Sequence, residues 1–217
     1  MTTSGRIQVL RASERPAMAW LNGGGVTREV AGFPAGAGLD GFDWRVSLAD
    51  VASAGPFSAF PGIDRVITLV EGPGMALTVD GVEHVVDAPY RPFAFSGDAV
   101  TDCRLLGGPL VDFNVMTRRG RVAADVDLRT ADATVDVSVS AGATVLLVCL
   151  DGSAVLAAGG PAGASADGRT DVPTDTPTDV SAGVELARYD AVLLDAPGAY
   201  GLRTTGVTAA VTFRPVG

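Results

Sequence analysis

The sequence predicts an all-β fold, a double β-barrel with few or no helices, and three observations carry that prediction. From Phe42 onward, short runs rich in Val, Leu, Ile and Phe recur between turn signals, the pattern of a sandwich or barrel. Gly 28 and Pro 13 in 217 residues favour short strands and tight turns over long helices. Two stretches of the chain also look alike, so one barrel is expected to occur twice.

Taken in order, strands are expected at residues 44–51, 65–71, 75–79, 83–86, 91–95, 103–106 and 110–116. Asp80-Gly81 between two of them is the dipeptide of a type I′ hairpin turn. A second set is expected at residues 134–139, 144–150, 154–158, 184–186, 191–194, 201–204 and 207–213. No segment has a helical period, apart from a short turn expected over residues 48–53.

The repeat aligns Leu69-Val70-Glu71-Gly72 with Cys149-Leu150-Asp151-Gly152, both steps from an apolar strand into a turn. It also aligns Val111-Asp112-Phe113 with Val211-Thr212-Phe213. The wider spacing of the second pair coincides with a polar stretch at residues 161–183, rich in Thr, Asp and Pro, which is expected to be a surface loop. The whole chain, 1–217, thus reads as a single two-barrel unit: residues 1–120 form a first barrel with its N-terminal segment and residues 121–217 a second.

Composition narrows the function classes. A formal charge of −9 and a pI of about 4.5 repel a phosphate backbone, and the 16 basic residues, all Arg, form no basic run, so no nucleic-acid partner is expected. No apolar stretch approaches the roughly 20 residues that span a bilayer. The opening MTTSGRIQVLRASERP has no apolar core of signal-peptide length, so a cytoplasmic protein without a membrane partner is expected. Cys103 and Cys149 belong to no CxxC pair and read as buried, reduced thiols.

Several words of sequence carry a family resemblance. They are Trp20-Leu21-Asn22-Gly23-Gly24-Gly25-Val26-Thr27-Arg28-Glu29, then Trp44-Arg45-Val46-Ser47-Leu48-Ala49, then Gly55-Pro56-Phe57-Ser58-Ala59-Phe60-Pro61-Gly62-Ile63-Asp64-Arg65. Phe93-Ala94-Phe95-Ser96-Gly97-Asp98 and Asp112-Phe113-Asn114-Val115-Met116 complete the set. In this order they resemble the HutD/Ves family, strongly over residues 7–120. The resemblance implies a bicupin fold of the RmlC-like cupin kind. For many members it implies an association with bacterial histidine utilisation, with a regulatory role proposed through a metabolite such as N-formyl-glutamate; Ves-type members are tied loosely to stress responses. It brings no established catalytic activity.

A metal-dependent cupin needs several His and a carboxylate on one ion, and this chain has one His. His84, beside Glu83 after the hairpin turn, reads as an ordinary hairpin side chain. No metal and no cofactor is therefore expected, and a Ser-His-Asp or Cys-His nucleophile is excluded on the same ground. Gly23-Gly24-Gly25 lacks the Lys and the following helix of a phosphate loop. It reads as a turn or bulge that brings Asn22 and Thr27 to a barrel mouth.

Strand alternation points to a pocket. It sets Arg45 and Ser47 opposite in face to Trp44, Val46 and Leu48, and Asp112, Asn114 and Met116 opposite to Val111, Phe113 and Val115. If the polar faces line the first barrel, they converge on a small polar ligand. Arg45 suits a carboxylate through paired charge-assisted hydrogen bonds, with Arg65 a second positive charge. The plain alternative pairs Arg45 with Asp112, and Arg65 with Asp64 or Asp98, without a ligand. Trp20, Phe57, Phe60, Phe93 and Phe95 are expected in the core, with Trp20, Phe57 and Phe95 also serving as pocket wall. Ser58 either donates a hydrogen bond to the ligand or caps the turn at Pro61-Gly62.

In the second half Thr212, Arg214 and Val145 replace Asp112, Asn114 and Arg65, so that barrel is expected to be structural. Three functions stay open: a regulatory or accessory protein binding a small carboxylate, a metal-independent isomerase or hydrolase with Asp112 as general base, and a structural protein whose paired barrels form a homodimer. An adjacent Arg45 would lower the Asp112 pKa, which favours binding over catalysis.

Overall fold

The computed structural model describes residues 7–130, 133–158 and 183–217. Strand β1 is Ile7–Leu10, followed by a 3-10 turn at Ala12–Glu14, the short strand β2 (Met18–Ala19) and the long β3 (Gly25–Phe33). Then come β4 (Trp44–Val51), β5 (Gly55–Pro56), β6 (Ile63–Glu71), β7 (Met75–Val79), β8 (Val82–Val86), β9 (Pro92–Ser96), β10 (Thr101–Leu105) and β11 (Leu110–Arg118). The remainder is β12 (Val122–Thr130), β13 (Ala133–Val139), β14 (Thr144–Asp151), β15 (Ala154–Ala158), β16 (Val184–Leu186), β17 (Ala191–Leu194), β18 (Gly198–Thr204) and β19 (Val207–Pro215).

The expected strands all form, because β-branched and aromatic residues at alternating positions suit a pleated, half-buried surface. At Asp80-Gly81 both residues have positive φ, 46° and 84°, and Val79 pairs with Val82 across them, as a type I′ turn requires. Two differences stand out. The turn expected over residues 48–53 is strand through Val51, since Leu48 and Val51 are both core residues of β4. Strand β3 falls where no strand was expected, because its sequence GVTREVAGF mixes polar residues with two glycines and shows no apolar run.

The chain divides into two compact units. One comprises Ser13–Val126 and Phe213–Gly217; the other comprises the residues up to Ala12 with Asp127–Thr212. The N-terminal strand Ile7–Leu10 pairs with Ala191–Leu194 of the second unit. The expected loop at residues 161–183 lies, apart from Gly183, outside the described residues.

Each unit consists of two open sheets. In the first, the six-stranded sheet β2-β3-β4-β11-β6-β9 faces the four-stranded sheet β5-β10-β7-β8. Ala49, Ile67 and Leu69 from the former and Met75, Leu77, Val86 and Cys103 from the latter share one buried cluster. In the second unit the order β13-β18-β15-β16 reproduces the smaller sheet, and β12-β19-β14-β17 reproduces β4-β11-β6-β9, with β1 added beyond β17. The repeat seen in sequence is thus a repeat of topology. Its interior joins Val145, Leu147, Cys149, Leu156, Leu186, Val192 and Leu202 in an apolar cluster. Both cysteines are buried and free. Among the described residues no helix is long and apolar enough to cross a membrane.

Candidate functional site

Antiparallel register builds the site on three neighbouring strands of the six-stranded sheet. Asn114 on β11 sits opposite Ser47 on β4 and Ile67 on β6, and Met116 sits opposite Arg45 and Arg65. Asp112 lies opposite Ala49 on one side and, at a bulge, Leu69 on the other. Directly opposed residues share a face. One face therefore carries Arg45, Ser47, Asp112, Asn114, Met116 and Arg65 in register, while Trp44, Val46, Leu48, Phe113 and Val115 are buried on the reverse. This is the segregation that alternation predicts.

The polar face opens into a cavity of about 590 Å³. Every expected ligand-binding residue lines it: Asn22, Arg45, Ser47, Ser58, Arg65, Asp112, Asn114 and Met116. Of the expected wall residues, Trp20 and Phe57 line it and Phe95 does not. Phe95 lies opposite Arg65 on β9 and supports the guanidinium from beneath, bordering a separate cavity of about 440 Å³. Thr27, Leu39, Ala49, Pro56 and Phe60 complete the larger cavity with Met18, Ala19 and Leu21. Ser58 is exposed, at the edge of the cavity.

The glycine run shapes the rim. Gly24 N–H donates to Asn22 Oδ1 at 2.9 Å, and Trp20 N–H donates to the Gly25 carbonyl at 2.9 Å, closing a turn that starts β3. A Cβ on Gly25 would stand 2.5 Å from the Asp50 carbonyl oxygen and 3.1 Å from the Trp20 ring, so glycine is required by close approach. The Trp20 indole N–H then donates to Thr27 Oγ1 at 2.7 Å, and its ring meets Phe57 edge-on, centroids 6.4 Å apart.

The two arginines differ, and both expected pairings are corrected. Arg45 Nε donates to Glu29 Oε2 at 2.7 Å rather than to Asp112. A bulge between Glu29 and Ala31 places this carboxylate beside the arginine. In sequence, the signal for Glu29 is its alternation with Thr27 against Val26 and Arg28, which places both on one face of a strand. Arg65 pairs with neither Asp64 nor Asp98, because both bind Arg119, at 2.6 and 2.9 Å.

Arg65 is 5% exposed and, among the described residues, forms no ion pair; its Nε has no hydrogen-bond partner. Its guanidinium lies 5.3, 5.5 and 4.9 Å from the ring centroids of Phe57, Phe60 and Phe95. Aromatic faces attract a cation but accept no conventional hydrogen bonds. Burial lowers the Arg65 pKa to about 10, opposed by the charge of Asp112, so it stays cationic at neutral pH.

Asp112 is 1% exposed, and its Oδ1 also lacks a hydrogen-bond partner, as does Asn114 Oδ1. Burial pushes the Asp112 carboxyl up to about 7, against the attraction of Arg65 and with repulsion from Asp50. The expectation that Arg45 lowers this pKa is overturned, since Arg45 is held by Glu29. His84 is outside the cavity, its ring 4.9 Å from that of Phe93. Among the described residues no group of three or more His, Cys, Asp or Glu side chains is placed to hold a metal ion.

Comparison with known proteins agrees with this architecture. The HutD family model matches residues 12–211. An uncharacterised 21.2 kDa protein from the hutC 3' region of Pseudomonas putida is 48% identical over 111 residues, 51% of this chain and 58% of that protein, so the match spans little more than half of the relative's length. Protein Ves of Citrobacter koseri is 42% identical over 135 residues, 61% of this chain and 68% of its own. The structure of HutD from Pseudomonas fluorescens SBW25 superposes with a TM-score of 0.76 at 31% identity, covering 97% of this chain and 100% of that one. A nickel(II)-bound bacterial pirin from Escherichia coli, 10% identical with a TM-score of 0.62 over 96% of this chain and 99% of its own, shares the fold alone, that of an all-β cupin.

Proposed function

The chain belongs to the HutD family, and on that premise we propose that it is a small-molecule-binding regulatory or accessory protein whose cavity takes a small carboxylate. The observation that carries this reading is Arg65, a buried cation in an aromatic cage that lines the cavity and, among the described residues, forms no ion pair. A buried charge without a partner is costly, and an anionic ligand removes that cost. Arg45, already paired with Glu29, serves to shape and orient the site. The apolar wall of Trp20, Phe57, Leu39 and Phe60 receives the rest of the ligand. N-formyl-glutamate, an intermediate of histidine utilisation, is the first ligand to test, and the reading calls on no metal or cofactor.

A thermal-shift screen of small carboxylates tests it. N-formyl-glutamate or a related acid is expected to raise Tm, and Arg65→Ala to weaken binding roughly tenfold to a hundredfold, the loss of a charged hydrogen bond of about 1.5–3 kcal/mol. No stabilisation by any small acid at millimolar concentration would sink the proposal.

A second reading, a metal-independent isomerase or hydrolase, is favoured by one observation: a buried carboxyl near pH 7 is poised to act as a general base. Turnover of a bound carboxylate that disappears in Asp112→Asn while binding persists would establish it.

A further inference from the structure

The polar end of the cavity is unbalanced in its hydrogen-bonding groups. Arg65 offers only donors, whereas an ionised Asp112 offers only acceptors and presents one of them, Oδ1, unsatisfied. Arg65 attracts any carboxylate that enters, yet the same entry brings a second negative charge beside Asp112. Two carboxylates sharing one buried site cannot both stay ionised.

We propose that the cavity takes its carboxylate ligand together with one proton, held by Asp112, so that a neutral Asp112 carboxyl donates its O–H to the carboxylate that Arg65 grips. This rests on the reading of the cavity as a carboxylate site. The proton comes from solvent: one O–H bond forms on Asp112, and the charge of the occupied site changes by nothing more than the ligand's anion plus that proton.

The groups around Asp112 favour this arrangement. Burial pushes the carboxyl up, Arg65 on β6 opposes it, and Asp50 on β4 adds a smaller push upward. From β10 comes Cys103, whose thiol burial raises to about 11, so it stays neutral and supplies no charge. Arg45 and Glu29 on β4 and β3 form a pair that balances its own charge. Arg65 is therefore the cation whose pull keeps Asp112 ionisable near neutrality. A bound anion cancels that pull and adds its own repulsion, so Asp112 holds its proton more tightly in the complex than in the free protein.

Linkage fixes the sign. Below about 7, where free Asp112 is protonated, affinity is flat with pH; above it, each ligand brings in a proton and affinity falls about tenfold per pH unit.

Isothermal titration with acetate, glutamate and N-formyl-glutamate, in phosphate and in Tris, measures this on the full chain without any mutation, since the two buffers release different heats per proton. Uptake is expected to approach about one proton at pH about 8.5 and to vanish near pH about 6. Asp112→Asn, which keeps a donor but cannot ionise, is expected to flatten the profile and bind at least about tenfold more tightly than the parent at pH about 9. Binding without proton uptake at the higher pH, or an Asp112→Asn variant with the parent's slope, overturns the proton coupling and leaves the carboxylate reading standing. Failure of every acid to bind at any pH between about 5.5 and 9 overturns both.

Discussion

The two units share a strand order and differ in what their equivalent strands carry. On β6 and β11 the first unit places Arg65, Asp112 and Asn114 toward its interior. On β14 the second places Val145, Leu147 and Cys149, all in an apolar cluster. On β19, Thr212 is half-buried and Arg214 exposed, so neither reproduces the buried polar pair of β11. The first unit also adds β2 and β3 beside β4, which carry Glu29, Thr27 and the rim, whereas the described part of the second adds β1 at the opposite edge. One topology thus supports a filled core or a polar cavity, and the choice rests on a few inward positions and on which edge is extended.

Substitutions at matched positions of the two units test this contrast. The largest effect is expected from Val145→Arg, which puts the residue of the first unit into the apolar cluster of the second. Val145 is 1% exposed, and an uncompensated buried charge is expected to cost about 3–5 kcal/mol in chemical denaturation. A variant as stable as the parent would mean that the second interior is not a closed apolar core.

Asp112→Asn should act in the opposite direction. Folding raises this carboxyl from 3.8 to about 7, so the folded state binds more protons and stability falls as pH rises between those values. The variant removes the buried charge, and its gain is expected near pH 8, up to roughly 4 kcal/mol at about 1.4 kcal/mol per unit, shrinking toward pH about 4. An equal effect at both pH values would show that Asp112 is not titrating.

At the rim, Thr27→Val removes the acceptor for the Trp20 indole and is expected to cost about 1 kcal/mol, with weaker carboxylate binding as Trp20 loosens. The smallest effect is expected at Arg104–Glu83, an exposed pair at 3.0 Å whose loss in Arg104→Ala should change stability by less than about 0.5 kcal/mol. A larger loss there would place stabilising electrostatics outside the polar interior.

Much of this was legible in the chain itself. Alternation alone separated Arg45 and Ser47 from Trp44 and Val46, because side chains change face at every residue of a strand. The words around Trp20, Arg45, Arg65 and Asp112 marked the family, and the repeat marked the paired topology. Residues 25–33 were not legible as strand, since two glycines and scattered polar residues hide the period until β4 is there to pair with. Phe95 reads in sequence as pocket wall, but an aromatic on a strand next to the site looks the same from either side of Arg65, and only the fold sets it against the guanidinium outside the cavity lining.

Residue faces and the histidine-poor composition were therefore determined by the sequence. The pairing of charges was decided only by tertiary structure. Asp64 lies next to Arg65 in the chain but faces away from it and binds Arg119, while Glu29, far off in sequence, reaches Arg45 across a bulge. Register and bulges depend on which strands meet, and among the described residues those long-range contacts leave Arg65 buried outside any ion pair and Asp112 Oδ1 buried without a donor.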